Sequence, residues 1–221
     1  MTIARPPEVE ISSPQSGYAL QDGVLFEAVA SDDTEVAEVY FYLREQDGGN
    51  GIPMAYEDLS SVFNNTTGRW EYDFETTQIP DGYYVLLAKA VDIYENQGWS
   101  EVVSFSIRNW AVVELLPASE NNKAGRTLPV KFALRIAPEV DPIMPFVYNE
   151  ELEIRIYDQE KPNKILQAAF FGDSSKDYRI NTDTGHYITN FKTSKKPVVY
   201  MVDIWRTGNN FFVGFFSFET F

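Results

Sequence analysis

Residues 80–92 read Pro80-Asp81-Gly82-Tyr83-Tyr84-Val85-Leu86-Leu87-Ala88-Lys89-Ala90-Val91-Asp92, a turn followed by a strand. Proline fixes φ, aspartate bonds nearby backbone, and glycine accepts the conformations other residues avoid. After the turn, Tyr84, Leu86, Ala88 and Ala90 alternate with Val85, Leu87 and Lys89. A period of two sends the first set to one face of an extended chain and the second to the other, the pattern of a half-buried antiparallel strand. The same period recurs in Val24, Phe26, Ala28 and Ala30, in Val39, Phe41 and Leu43 opposite Tyr40, Tyr42 and Arg44, and in Val103, Phe105 and Ile107. Turn residues punctuate these runs at 14–17, 22–23, 47–51, 64–68 and 96–98. No stretch of a dozen residues keeps a 3.6-residue apolar repeat, so no long helix is expected. About seven short strands in roughly 100 residues predict a β-sandwich.

The second half follows the same plan. Val130, Phe132, Leu134 and Ile136 face one way with Lys131 and Arg135 opposite, and Leu152, Ile154 and Ile156 alternate with Glu151, Glu153 and Arg155. Segments 112–116, 164–171, 185–193, 198–206 and 211–218 complete a second set of strands. The junction Ile107-Arg108-Asn109-Trp110 holds no Gly, Pro or low-complexity spacer, which predicts two domains, 1–108 and 109–221, joined without a flexible linker. Trp110 fits either the joint or a cap on the second core.

Charge divides along the same line. The chain of 221 residues carries 18 Lys plus Arg against 33 Asp plus Glu, a formal net charge of -15. Residues 1–108 hold 5 bases and 19 acids, giving 5 - 19 = -14, and residues 109–221 hold 13 and 14, giving 13 - 14 = -1. An acidic chain of this kind does not fit a phosphate backbone or an anionic lipid surface, so neither nucleic acid nor membrane insertion is expected. No run approaches the roughly 18 apolar residues of a spanning helix. With no cysteine there is no disulfide framework and no thiolate chemistry, and a single histidine, His186, excludes multi-histidine metal sites.

Two resemblances follow from particular residues. Ala28, Ala30 and Asp32, then Val39, Phe41 and Leu43, then Pro80-Asp81-Gly82 leading into Tyr84, Leu86, Ala88, Ala90 and Asp92, resemble the bacterial immunoglobulin-like domains of secreted and cell-surface proteins, over residues 7–108. Tyr84 also fits a tyrosine corner, with its ring in the core and its hydroxyl on nearby backbone. In the second half, Ala124-Gly125-Arg126-Thr127-Leu128-Pro129-Val130-Lys131-Phe132 resembles the signature of the PxKF domain, and Gly185, Tyr187, Ile188, Asn190, Lys192 and Thr193 resemble that family's later strand. Phe191 stands where the family tends to carry tryptophan, and the cysteines of several relatives are absent. These resemblances imply an all-β chain of two tandem immunoglobulin-like sandwiches and an appended, non-catalytic module of extracellular prokaryotic proteins. Read physically, Pro129 belongs at the first residue of a strand, Phe132 in the core and Lys131 outside as a solvated charge.

For catalysis, His186 lies next to Tyr187 on the opposite strand face, and no Gly-x-Ser-x-Gly elbow supplies a nucleophile for it. Glycoside hydrolysis needs only two carboxylates, but a small filled sandwich offers no deep cleft by default. No phosphate loop or dinucleotide fingerprint is present. Ca2+ is the cofactor best supported by the residues. Asp32, Asp33 and Glu35 lie in one turn and Asp92 and Glu95 in another. In a sandwich these two turns share an end, where their oxygens could converge, whereas Asx turns are the ordinary use of such aspartates. Carbohydrate is the second ligand class, on Tyr40, Tyr42, Tyr83, Tyr94 and Trp99, which point outward or lie in loops, although cross-strand aromatics also stabilise sheets unaided. Asn64-Asn65-Thr66-Thr67 overlaps two glycosylation sequons and reads most simply as a polar turn. The resulting expectation is a structural spacer or presentation module within a larger secreted or cell-surface protein. Its partners would be the parent's other domains, a polysaccharide or a surface protein. The alternative is a carbohydrate- or calcium-binding module appended to a secreted hydrolase.

Overall fold

A computed structural model describes residues 5–46, 55–117, 122–136, 146–149, 151–208 and 210–221, so the expected turn at 47–51 lies outside the described residues. The chain divides into two compact units, Met1–Arg108 and Asn109–Phe221. Among the described residues there is no α-helix, only a short 3-10 turn at Thr76–Gln78 whose start is capped by the Glu75 carboxylate accepting from Thr77 N–H.

In the first unit, strands β1 (Glu8–Ser13), β3 (Gly23–Ser31), β7 (Arg69–Glu75) and β6 (Val62–Asn64) form one sheet in that order. The facing sheet runs β2 (Ala19–Leu20), β10 (Val103–Ile107), β8 (Gly82–Asp92), β4 (Val36–Glu45) and β5 (Ala55–Ser60), with β9 (Gln97–Trp99) also on β8. Sequence-distant strands pair as in a Greek-key sandwich. The alternation sets the core. Phe26 and Ala28 from one sheet meet Phe41, Leu43, Tyr84, Leu86, Ala88 and Phe105 from the other, all buried. Across the gap the Phe26 ring lies 5.8 Å from Phe41 in an edge contact, a geometry favoured by the aromatic quadrupole. The Tyr84 hydroxyl donates to Pro80 C=O at 2.5 Å and so makes the tyrosine corner.

The second unit builds two four-stranded sheets. One has the order β11 (Trp110–Leu116), β12 (Thr127–Ile136), β16 (His186–Lys192), β15 (Arg179–Asn181). The other has β14 (Ile165–Ala169), β13 (Leu152–Asp158), β17 (Val199–Arg206), β18 (Phe211–Glu219). In strand-letter terms these are A-B-E-D and C′-C-F-G, the immunoglobulin-like arrangement. Phe132 stacks on Tyr187 at 4.9 Å within one sheet and meets Phe216 of the other at 6.0 Å. Trp110 packs against this second core. Pro129 departs from its expected place. It is the third residue of β12 and pairs with Asn190, while among the described residues β11 reaches along β12 to Lys131. Among the described residues Pro129 thus has one ladder neighbour, a place where a missing N–H is tolerated.

Two substitutions test this packing. A Cβ on Gly98 would lie 1.7 Å from Pro7 C=O, backbone that cannot swing aside. Gly98→Ala should lower stability by about 2 kcal/mol or more in urea unfolding. Tyr187→Phe strands Val147 C=O, which accepts the hydroxyl at 2.7 Å, and Asn149 N–H, which donates to it at 2.8 Å. It should cost about 2 kcal/mol. A midpoint unchanged in either variant would contradict the packing described.

Candidate functional site

The acidic turns come from two strand ends that the ladder places side by side. β4 begins at Val36, opposite Asp92 at the end of β8, and Ile93 N–H donates to Glu35 C=O at 3.1 Å. The shared end expected from the sequence is therefore formed. The carboxylates themselves are committed elsewhere. Asp92 is 2% exposed, and its Oδ1 accepts from the backbone N–H of Tyr94 and of Asn96 at 2.8 Å each while Oδ2 accepts from Asn96 Nδ2 at 2.7 Å. Burial acts to raise its pKa, but the Asn96 side chain and the two backbone N–H groups outweigh it and hold the carboxyl below the usual aspartate range. Asp32 accepts from both the N–H and the hydroxyl of Thr34, closing its own turn. Glu95 sits at φ 69°, the left-handed conformation of a tight turn. Asp33 and Glu35 are exposed beside them. Among the described residues no three of His, Asp and Glu are placed to hold a metal ion. The two turns meet, with both Asp92 oxygens and Asp32 Oδ2 taken up in hydrogen bonds of the turns themselves.

The aromatic candidates separate into one cluster and two outliers. Tyr40 and Tyr42 point outward from β4, Lys89 from β8 and Trp99 from β9, in register as Tyr40↔Lys89 and Lys89↔Trp99. The Lys89 ammonium lies 4.9, 5.1 and 5.8 Å from the ring centroids of Tyr40, Tyr42 and Trp99, and the Tyr42 and Trp99 rings are 5.2 Å apart at 45°. Cation–π attraction thus joins three strands on one sheet face. Trp99 keeps 52% of its surface exposed. Tyr83 projects from the far end of β8, and Tyr94, 63% exposed, belongs to the turn after it, so neither joins the cluster. Lys89 was absent from the residues that sequence reasoning singled out. Its signal was its position midway along β8, facing the Tyr40 row.

His186 serves its hairpin. Its Nδ1 lies 2.7 Å from the Thr184 hydroxyl, and burial together with the Lys131 charge lowers its pKa. A half-buried network on the second unit's β13-β17 face links Arg155 to Glu153 at 2.6 Å and places its guanidinium 4.6 Å over the Trp205 ring. In the same network the Tyr157 hydroxyl donates to Asp203, and burial pushes the Asp203 carboxyl up despite that bond. A surface cleft of this unit, about 530 Å³, opens beside Lys161, Lys164, Lys196 and Tyr200. It brings three lysines beside Asp158, Glu160 and Glu219.

The bacterial Ig domain family matches residues 7–88. The match falls within the first unit. No curated protein matches the chain. Similar solved structures include the fibronectin(III)-like modules of Clostridium thermocellum CbhA, at 13% identity over 97% of this chain and 93% of that one, TM-score 0.33. A tetra-tandem repeat from the extending region of a large adhesion protein is 11% identical over 96% of this chain and 48% of that one, TM-score 0.44. The endo-β-1,4-mannanase of Thermotoga petrophila is 13% identical over 47% and 20%, TM-score 0.34. The fold assignment of the second unit rests on its own sheet order and core.

Asp92 gives a pH test with a definite sign. Its folded pKa is depressed, so the stability it contributes is present above the unfolded aspartate pKa, near about 4, and is lost as pH falls through the lower folded value. Asp92→Asn should destabilise the protein at neutral pH and flatten the acid limb of its stability profile. Glu95→Gly should hold or raise the melting temperature, since glycine relieves the left-handed strain. A loss of stability in Glu95→Gly that depends on added calcium would show that the turn binds metal after all.

Proposed function

We propose that the chain is a non-catalytic module that spaces or presents other parts of a larger secreted or cell-surface bacterial protein. One observation carries this reading. The side chains with chemical potential are spent on the fold, with Asp92 and Asp32 closing turns, Lys89 packed over rings and the tyrosine hydroxyls tied to backbone. Both units have filled cores. Support for the extracellular setting is the bacterial Ig match over residues 7–88, a family met chiefly in extracellular and surface proteins. The second unit is proposed as a PxKF-like module on the strength of residues 124–132, with Phe132 inside and Lys131 outside as strand alternation requires.

A second reading is favoured by one feature. Trp99, half exposed beside Tyr42 and Lys89, offers a flat ring next to a hydrogen-bond donor, which suits the face of a sugar. Retardation of the intact chain in gels containing soluble glycans, abolished by Trp99→Ala, would support it. Equal migration with and without glycan would remove it.

A spacer must carry tension, and the strand order supplies the means. Stretched between its ends by force spectroscopy, the chain should give two separate unfolding events, each releasing roughly 350 Å of contour at about 3.6 Å per residue. A single event, or extension without a force peak, would contradict the spacing role.

A further inference from the structure

The two units carry opposite charge on the same topological face. In the first unit, burial of Val9, Ile11, Phe26, Trp70 and Phe74 fixes which side chains of the β1-β3-β7-β6 sheet point outward. These include Glu8, Glu10, Glu27, Glu71, Asp73 and Glu75, with Arg69 as the one base in those ladder rows. Glu27 stands directly opposite Glu71 in the register. Like charges so placed destabilise a sheet, and Arg69 relieves the pair only in part, through Glu27 at 2.9 Å. Hydrogen bonds from Asn64 and Thr67, against burial and aided by Arg69, keep Glu71 ionised. The face therefore stays negative. Exposed Leu25, Val29 and Val62 lie among these carboxylates.

The corresponding face of the second unit has the reverse sign. Burial of Val130, Phe132 and Leu134 and of Tyr187, Thr189 and Phe191 turns Lys131 and Arg135 outward from β12 and His186, Ile188, Asn190 and Lys192 outward from β16. Arg179 lies in the next strand, in the row Arg179↔Ile188↔Lys131, two strand spacings or about 10 Å across. No carboxylate occupies an outward ladder position of β12, β16 or β15. A unit whose net charge is only -1 has thus gathered four of its 13 bases on one sheet face. Burial first, and then the nearby Lys131 charge, lower the His186 pKa. Cations spread this far, Lys131 and Arg135 about 13 Å apart along β12 and Arg179 beyond Ile188 across the sheet, suit an extended acidic surface rather than one small anion.

We propose that this basic face docks a second copy of the chain, through the outward β1-β3-β7-β6 face of the partner copy's first unit. Each copy offers an acidic face at one unit and a basic face at the other, so the contact joins unlike faces of two copies. Electrostatic complementarity sets its partner and register. This goes beyond the spacing role, giving neighbouring modules a way to adhere laterally.

Sedimentation velocity on the intact chain tests it, at roughly 0.02 M and roughly 0.5 M salt, where the Debye length is on the order of 20 Å and 4 Å. At low salt the average mass should rise above 25.2 kDa with protein concentration, and at high salt it should return to that value. Lys131→Glu with Arg179→Glu, and separately Glu10→Lys with Asp73→Lys, should each weaken self-association at least about tenfold. Mixing the two variants should restore association, because each supplies the face the other lacks. Circular dichroism checks their folding, and Lys131→Gln with Arg179→Gln replaces the first variant if it fails to fold. A wild-type chain at the mass of a single copy under both salts, or association indifferent to both variants, would overturn the proposal. So would a monomer retained on immobilised polyglutamate, which would assign the basic face to a foreign polyanion.

Discussion

Burying a tyrosine brings a hydroxyl into the interior, and that hydroxyl must find a partner or cost the free energy of an unpaired polar group. Four tyrosines, Tyr84, Tyr178, Tyr187 and Tyr200, are among the largest fully buried side chains. Each resolves the problem by binding the backbone near a chain connection. Tyr84 holds Pro80 ahead of β8, Tyr178 accepts from Leu152 N–H at the start of β13, Tyr187 bridges Val147 and Asn149, and Tyr200 accepts from Ser194 N–H. Burial of Tyr187 pushes its phenol well above the usual tyrosine range, so it stays protonated and able to donate. The rings fill the cores and their hydroxyls pin the loops. Position of the connections follows from packing rather than from the loops' own sequences.

The same economy governs the charged turns. Asp92 is buried in a turn and spends its oxygens on three N–H donors, which makes it a support for the loop more than a ligand for a cation. Lys89 lies against Tyr40, Tyr42 and Trp99, so a charge that would otherwise reach into solvent ties three strands together. What remains for contact with other molecules is whole sheet faces, whose character is set by alternate residues along each strand.

Much of this was legible in the sequence because period two is unambiguous when one face is apolar. Val39, Phe41 and Leu43, and Tyr84, Leu86, Ala88 and Ala90, all reach the core as the alternation requires, and the tyrosine corner follows from Tyr84 standing four residues after Pro80. Strand β7 was harder to see. Arg69-Trp70-Glu71-Tyr72-Asp73-Phe74-Glu75 alternates charge with aromatics, so its inward residues are amphipathic and its outward ones uniformly ionised. Short β9 and β15 carry too few residues for any period. The placement of acids at 32–35 and 92–95 correctly indicated two adjoining turns, but sequence spacing cannot say that Asn96 and Thr34 supply the donors those oxygens take. The aromatic set was likewise right in facing outward and incomplete in omitting Lys89, since a cross-strand row exists only once register is known. The opposed charge of the two A-B-E-D faces was present in the count by halves only as an average, which conceals that the second unit's bases share a face.

Amide hydrogen exchange on the intact chain tests most directly whether buried tyrosine hydroxyls fix the connections. The N–H groups of Asn149 and Ser194 lie outside the strands and donate to tyrosine oxygens at 2.8 Å each. The account predicts that they exchange as slowly as the interior amides of β12 and β17, because they open only when the core does. Exchange at the rate of free loop amides would contradict it.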